Sequence, residues 1–312
     1  MNSLKVVISV LLLCLFANII LAQHRPIPAT VEVLSALDSA MLHQKENTYL
    51  SYLEKAEALA TEKSDNSGIA LVNQRLGGYY YARDARKAIA YQKKASEFFY
   101  KAEDAKMVAI CMHNIGFIYD EQLHNTDSAI NAIDAAIYLH KKLRDTLEFA
   151  NMCKYKGILV APLGDYTEAK RLVNKAILYF GYKDYQPGIA VSWYDLALVY
   201  GQQEAVDSAI CYAEKSKDYW VRNKGRDRVF GINTELVKWY LKIDKQQKAT
   251  KLLSENKSIL DSEKIYWKDK LVFYQIAEQY SKNVKKTADA KQYKLKYIGL
   301  RDSLNAKGIK TE

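Results

Sequence analysis

A small residue recurs at nearly constant intervals along most of the chain. Consecutive copies are 39 to 41 residues apart, at Gly77, Gly116, Gly157, Ala197, Val237 and Ala277. Three residues after each copy stands a tyrosine, with one valine exception: Tyr80, Tyr119, Val160, Tyr200, Tyr240 and Tyr280. A second series keeps the same period, at Ala88, Ala129, Ala169, Ala209, Ala249 and Ala290. Two independent series with one period predict a chain built from repeated structural units.

The stretch 164–177 shows what one repeat contains. Asp165 is a suitable helix N-cap, and Glu168 three residues later completes a capping-box pattern. Ala169 and Ala176 lie seven apart on one helical face, where small side chains let a neighbouring helix approach closely. We therefore predict two helices in each repeat. Helix A carries the first series of small residues, and helix B carries the alanines.

The fullest copy of the pattern reads Trp-x-x-Leu-Ala-x-x-Tyr, formed by Trp193, Leu196, Ala197 and Tyr200, with Ala209 on helix B. This pattern resembles the tetratricopeptide repeat, over roughly residues 30–307. The usual period of that family is about 34 residues, so the longer period here is similar to its long-helix variants. HEAT-type repeats have a similar period and remain an alternative. The resemblance implies an all-α fold, an α-solenoid of about seven stacked antiparallel helix hairpins that form a tetratricopeptide-like superhelix.

The hairpins are predicted at residues 30–63, 65–103, 104–144, 145–183, 184–224, 225–261 and 262–307. The first lacks the Gly-x-x-Tyr pair, as expected of a capping repeat with one face in water. Composition agrees with a helical fold, because the chain is 49% apolar and 26% charged and has four prolines. We therefore expect one repeat domain over residues 30–312.

Residues 1–22 have the features of a signal peptide. Lys5 precedes an apolar run over residues 6–20, and the sequence around Ala22 is similar to a signal-peptidase site. The run is shorter than the ~20 residues that a spanning helix usually needs, so cleavage near Ala22 is preferred, with retention as an anchor the alternative. Residues 23–29 form a short lead-in. We expect a periplasmic or secreted protein.

Cysteines and histidines give no pattern of chemistry. Cleavage would leave Cys111, Cys153 and Cys211, and an odd number leaves at least one thiol unpaired. We interpret the three as small buried hydrophobes, with a disulfide between Cys111 and Cys153 the alternative. The five histidines show no metal-ligand spacing, and no phosphate loop, nucleophile elbow or paired-carboxylate motif is present. We therefore predict no metal, no cofactor and no enzymatic activity.

The triplet Asp-Ser-Ala occurs three times, at residues 38–40, 127–129 and 207–209. It resembles a short acceptor motif for O-glycosylation in some exported Gram-negative proteins. Asp and Ser are also good helix caps, and two of the triplets fall at the predicted start of helix B. We prefer the capping interpretation.

In the tetratricopeptide family the concave groove is lined by helix-A residues about three before, and one, four or five after, the small position. The resemblance therefore implies these main groove candidates: Tyr81, His113, Phe117, Lys154, Tyr194, Lys238 and Tyr274. The same rule also gives Gln74, Asp120, Gln202, Thr234, Lys242 and Lys282. This aromatic, polar and basic mixture suits an extended peptide or a small anionic ligand. The family's two-carboxylate clamp is not matched, because Ile158 stands where that clamp has Asn.

Burial should separate the groove from the core. We expect the groove side chains to be partly exposed, whereas the series tyrosines Tyr119, Tyr200 and Tyr240 should be buried against the neighbouring helix. A tyrosine stripe at helical spacing is ordinarily core.

Charge is distributed unevenly. Residues 23–214 hold 21 basic and 24 acidic side chains, whereas residues 215–312 hold 24 basic and 12 acidic ones. The excess in the last third favours an anionic partner or membrane surface, and export argues against nucleic acid. At the end of the chain an apolar stripe (Tyr293, Tyr297, Leu300, Leu304) has a basic flank formed by Lys291, Lys294, Lys296 and Arg301.

The signal peptide, the long repeats and the ending at residues 293–304 together resemble the extracytoplasmic repeat region of bacterial sensor kinases and related regulators. The resemblance implies a sensing or scaffolding role. Our leading hypothesis is an exported, non-catalytic protein–protein interaction module that binds its partner in the groove. The alternative is a soluble periplasmic receptor for a small peptide or an anionic glycan fragment. A shallow groove favours the first and an enclosed pocket the second.

Overall fold

The computed structural model describes residues 28–42 and 48–306, except for the side chain of Ser262. The predicted signal peptide lies outside the described residues. The described part contains fourteen α-helices, one 3₁₀ helix and no strand. It divides between Leu159 and Val160 into two compact units, and each unit is described by itself.

The helices follow one another with short turns. In the first unit they are α1 (Val31–Leu42), α2 (Tyr49–Glu62), α3 (Asn66–Tyr80), α4 (Ala85–Lys101), α5 (Ala105–Glu121), α6 (Thr126–Lys142) and α7 (Thr146–Val160). After the 3₁₀ helix Ala161–Leu163 come α8 (Tyr166–Tyr182), α9 (Gln186–Gln202), α10 (Val206–Arg222), α11 (Arg226–Lys242), α12 (Gln246–Ser262), α13 (Trp267–Asn283) and α14 (Thr287–Ala306). Within each unit, most consecutive helices pack on one another. Six of the seven predicted hairpins are confirmed, with boundaries that differ by a few residues, and the hairpin at 145–183 falls across the boundary between the two units.

The forty-residue period arises because each repeat consists of two helices of similar length. Nine of the described helices are 17 residues long, and about three turn residues separate most neighbours. At eight turns the second residue after the helix is not glycine but has a left-handed backbone: Ser64, Glu103, Arg144, Asp184, Glu204, Lys224, Asp244 and Lys285. His124, the third residue after α5, has the same conformation. The Lys224 N–H, for example, donates to Val221 O (3.3 Å), and the Gly225 N–H donates to Trp220 O (2.9 Å). This is a Schellman motif, and it sets the length of the turn.

Acidic residues cap several helices, as the sequence around residue 165 predicted. The Asp165 carboxylate accepts a hydrogen bond from Glu168 N at 3.0 Å. The capping interpretation of the Asp-Ser-Ala triplets is wrong. Asn125 caps α6 in place of Asp127, Ala205 stands at the N-cap of α10, and residues 38–40 lie inside α1. A capping side chain must precede the first helical residue, whereas Asp127 and Asp207 lie inside the first turn.

Small residues bring the paired helices close together, as predicted. All six series alanines of helix B are buried. A Cβ atom added to Gly116 would lie 2.6 Å from Ile133 Cδ1, so α5 and α6 approach each other where that glycine stands. This close approach explains why the period is marked by glycine and alanine.

The series tyrosines are not uniformly buried, so the expected contrast with the groove residues is wrong. Tyr240 is 4% exposed, but Tyr119 and Tyr200 are half-buried, like the groove candidates. The Tyr200 ring stacks on Tyr212 of helix B, with centroids 5.4 Å apart and an interplanar angle of 7°. Tyr119, Tyr200 and Tyr240 each stand two residues before the end of their helix, so their different burial comes from the side chains around them.

The cysteines differ from one another. Cys111 and Cys153 are buried thiols, as predicted, and burial raises the pKa of Cys111 to about 12. Cys211 is exposed, so the prediction of burial is wrong there. It lies on the outer face of α10, two residues beyond the buried Ala209.

Candidate partner-binding groove

Four groove candidates lie in the first unit, and all are half-buried. They come from consecutive A helices: Tyr81 follows α3, His113 and Phe117 lie on α5, and Lys154 lies on α7. The structure brings two of them into direct contact, because the ring centroids of His113 and Phe117 are 4.4 Å apart in an edge-on arrangement.

The aromatic contact continues onto the next A helix. Phe117 lies 4.3 Å from Tyr155 between ring centroids. The Tyr155 hydroxyl donates a hydrogen bond to Asp120 Oδ2 at 2.5 Å. His113, Phe117 and Tyr155 thus form an aromatic patch that spans α5 and α7, with the Asp120 carboxylate at its edge.

The ionisable groups of this patch are held neutral near pH 7. Burial, together with repulsion from His140, lowers the pKa of His113 to about 4. Burial also raises the pKa of Tyr155, and its hydrogen bond to the Asp120 carboxylate raises it further. The patch therefore offers apolar surface and hydrogen bonds rather than charge.

Tyr81 and Phe117 also line a cavity of about 700 Å³ between α3 and α5. Its α3 side is lined by Gln74, Arg75, Gly77, Gly78 and Tyr79, followed by Tyr81 and Arg83. Its α5 side is lined by Asn114, Phe117 and Ile118, and Tyr49 and Gln92 complete the lining.

Amide side chains organise the deepest part of the cavity. Gln92 of α4 is 3% exposed. Its Nε2 donates to Gln74 O, and its Oε1 accepts from Asn114 Nδ2, both at 3.3 Å. This chain of hydrogen bonds links α3, α4 and α5 and fixes the orientation of Asn114.

Three further candidates lie in the second unit and are more engaged in internal contacts. The half-buried Tyr194 donates its hydroxyl hydrogen to Gly231 O at 3.4 Å, and burial raises its pKa well above the usual value. Lys238 donates to Glu235 Oε1 at 2.6 Å. Tyr274 is 9% exposed and packs near Phe273. Tyr194 and Lys238 keep partly exposed surface, whereas Tyr274 keeps little.

Most of the basic flank of α14 is exposed to solvent. Lys291, Lys294 and Lys296 are exposed. Arg301 is half-buried and donates two hydrogen bonds to Asp302 Oδ1, at 2.9 and 3.0 Å. The apolar stripe packs on the preceding A helix, since Tyr293 lies 6.0 Å from Phe273 between ring centroids.

Comparisons with known proteins agree with this architecture. No protein-family model matches the chain, and no curated protein matches its sequence. The apo form of RapI has a TM-score of 0.70 at 15% identity, covering 88% of this chain and 100% of that one. A STAND-class signal transduction ATPase with a tetratricopeptide repeat sensor, from Pyrococcus horikoshii, has a TM-score of 0.67 at 17% identity. That match covers 90% of this chain and 44% of the ATPase.

A Rap protein complexed with Competence and Sporulation Factor is also similar. Its TM-score is 0.61 at 12% identity, and the match covers 88% of this chain and 86% of that chain. This chain has the tetratricopeptide-type repeat fold. At such identities the likeness concerns the fold alone.

Two further properties of this tetratricopeptide-type chain hold for residues 28–42 and 48–306. No cluster of three or more His, Cys, Asp and Glu side chains there could hold a metal ion. No helix in the same part is both long and apolar enough to cross a membrane.

The groove rule taken from the tetratricopeptide family does not include one helix-A position that contributes to the site. Arg75, Asn114 and Tyr155 each stand two residues before the small position of their A helix. Arg75 and Asn114 line the cavity, and Tyr155 belongs to the aromatic patch. A hydrogen-bonding side chain fills this position in all six copies, continuing with Asp195, Glu235 and Gln275. This regularity in the sequence could have identified the position as part of the site.

Proposed function

We propose that this chain is an exported, non-catalytic interaction module that binds a protein or peptide through its A helices. The observation that carries the proposal is the aromatic patch of His113, Phe117 and Tyr155, which adjoins a cavity lined with amide and guanidinium groups. Half-buried aromatic rings beside hydrogen-bonding side chains are typical of protein-binding surfaces.

Three further points support the proposal. One structure of the same fold is a Rap protein complexed with Competence and Sporulation Factor. The features of residues 1–22 favour export to the periplasm or beyond. The groove histidine has its pKa lowered to about 4 and contacts an aromatic ring, so it suits packing better than proton transfer near pH 7.

The cavity of about 700 Å³ favours a second candidate function, a receptor for a small peptide or an anionic glycan fragment. Sites for small ligands are typically 300–1,000 Å³. Under this alternative the partner would be largely enclosed between α3 and α5, and the aromatic patch would form only the rim of its site. A ligand retained through purification and seen by native mass spectrometry would favour this alternative.

The exposed lysines of α14 support an additional contact in our proposal. Lys291, Lys294 and Lys296 would dock on an anionic membrane surface, because each lysine near such a surface contributes about 1 kcal/mol.

Site-specific photo-crosslinking in periplasm tests the main proposal. A benzophenone amino acid at Phe117 should capture a defined partner. The same residue at Leu178, which is 53% exposed on the helix B face of α8, serves as the control and should not capture it. Equal capture from both positions would contradict binding through the A helices.

A further inference from the structure

The cavity between α3 and α5 is lined by two guanidinium groups and, among the described residues, by no carboxylate. Arg75 and Arg83 are both exposed, and neither forms an ion pair within the part of the chain that the structure describes. The adjacent carboxylate of Glu121 accepts a hydrogen bond from Tyr81 at 2.9 Å. The cavity is therefore a locally positive site within residues 23–214, a stretch that is slightly acidic overall.

The two arginines line the same cavity, and at least one is held in place. Arg75 lies on α3, and Arg83 lies in the turn that follows it. The Arg83 guanidinium carbon lies 4.1 Å from the centroid of the Tyr79 ring, and its NH1 donates to Tyr79 O at 2.6 Å. A guanidinium group has five N–H donors, so most of those of Arg83 remain for a ligand. An arginine stacked in this way loses little freedom when it binds a carboxylate.

The rest of the lining suits a peptide. Asn114 uses one amide hydrogen on Gln92, and its side-chain oxygen is left to accept from a ligand N–H. Gly78 lies in helical backbone of α3, yet a Cβ atom added there would meet no atom within 4 Å. No packing contact requires this glycine, although glycine in a helix costs stability. Its effect is to leave helix backbone open to the cavity.

We propose that this cavity binds a short acidic peptide. The carboxylate of an Asp or Glu side chain is held by Arg75 and Arg83, and a neighbouring apolar side chain lies against Phe117 and Ile118. The volume of about 700 Å³ accommodates a few residues. The inference deepens the proposed function and rests on it, since it names the class of partner that the groove selects.

A positional-scanning library of pentapeptides, acetylated and amidated at their ends, tests the proposal on the full mature chain. Acidic residues should be selected at one or two positions, beside an aromatic or aliphatic residue. In the best peptide, Asp→Asn or Glu→Gln should weaken binding at least tenfold in fluorescence polarisation. The double variant Arg75→Gln/Arg83→Gln should bind the best acidic peptide at least tenfold more weakly than the unsubstituted protein does. It should bind the acidic and amide peptides equally.

Matched variants separate the site from general effects. Arg86→Gln removes an exposed guanidinium outside the cavity and should keep the acidic preference. Gly78→Leu should fill the cavity and abolish binding, whereas Gly78→Ala should retain it. Circular dichroism melting of both variants checks that they fold.

Three results would overturn the inference: no acidic preference, a preference unchanged in the double arginine variant, or a requirement for a free C-terminal carboxylate in an uncapped library. Neutral peptides that bind at Phe117 would leave the proposed function standing. If no peptide binds but the crosslinker at Phe117 still captures a folded protein, the proposed function also stands. Failure of both experiments would remove the proposed function as well.

Discussion

Asn233 and Asn256 hydrogen-bond to each other inside the second unit, and neither side chain is exposed. Asn233 Nδ2 donates to Asn256 Oδ1 at 3.0 Å. Asn256 Nδ2 donates to Phe230 O at 2.9 Å, so the pair ties α12 to α11. Forty residues earlier Ser216 is also buried, and its hydroxyl donates to Ala190 O at 2.7 Å. The same repeat position thus carries a buried hydrogen bond in two consecutive hairpins.

Removing Asn256 should be costly for this reason. Asn256→Ala leaves the buried amide of Asn233 and the carbonyl of Phe230 without that partner, and we expect a loss of about 2–3 kcal/mol. Urea unfolding followed by circular dichroism measures it. Asn174→Ala, at an exposed position on α8, should change stability by less than about 0.5 kcal/mol. A cost for Asn256→Ala no larger than this control would contradict the structural role.

The left-handed turns offer a stabilising change. Lys224 has φ of 57° and closes a Schellman motif after α10. Because glycine adopts this conformation freely, Lys224→Gly should raise stability by about 1 kcal/mol. Lys224→Ala removes the same side chain but keeps the Cβ atom, so it should give no gain. Thermal and urea unfolding compare the two variants, and an equal gain from both would show that backbone strain is not the cause.

Much of this fold could be predicted because its cause is local and periodic. Gly116 and Ala209 mark positions where a larger side chain would separate paired helices, so small residues repeat where the helices touch. The N-cap at Asp165 could be predicted for the same reason, since it depends on the next three residues. The turns could not, because Lys224 and Asp244 do not resemble the glycine expected at a left-handed position.

The site was harder to predict than the fold. Helical spacing places Tyr200 and Phe117 on particular faces of their helices, but it does not say how much solvent each side chain meets, and both are half-buried. The cavity depends on a buried amide on α4, Gln92, and on guanidinium stacking by Arg83. Both features are contacts between residues on different turns or helices. The groove rule selects single positions on helix A, so it does not predict such contacts.

His113 and His140 of the first unit predict a stability that depends on pH. Burial lowers the pKa of His113 to about 4 and also lowers that of His140, which is fully buried. Around His140, Asp145 and Glu148 oppose the shift, whereas Lys106 adds to it. The unfolded chain therefore binds more protons than the folded one, and stability should fall as pH falls from about 6.5 towards 4.

Urea unfolding at pH 7 and pH 4.5 measures this loss. A shift of this size in His113 corresponds to an upper bound of about 3 kcal/mol. His113→Gln keeps a polar side chain but cannot titrate, so the difference between the two pH values should shrink in this variant. A difference of the same size in the variant and the unsubstituted protein would assign the effect to other groups.

The basic flank of α14 gives the last prediction. Lys291, Lys294 and Lys296 are exposed and available to a surface, whereas Arg301 is engaged by Asp302. The triple change of these lysines to Gln should therefore weaken binding to phosphatidylglycerol vesicles by about 3 kcal/mol, or roughly a hundredfold. Binding should also fall steeply with added salt, because attraction at such a surface extends over about one Debye length.

A second triple variant makes this test specific to α14. Lys251, Lys257 and Lys264 are also exposed, on or just after α12, and changing them to Gln removes the same amount of charge. Sedimentation with vesicles of phosphatidylglycerol, and of phosphatidylcholine alone, compares both variants with the unsubstituted protein. If both triple variants weaken binding equally, the attraction comes from the overall charge of residues 215–312. If only the α14 variant does so, that helix is the docking element, because position and not total charge then decides the affinity.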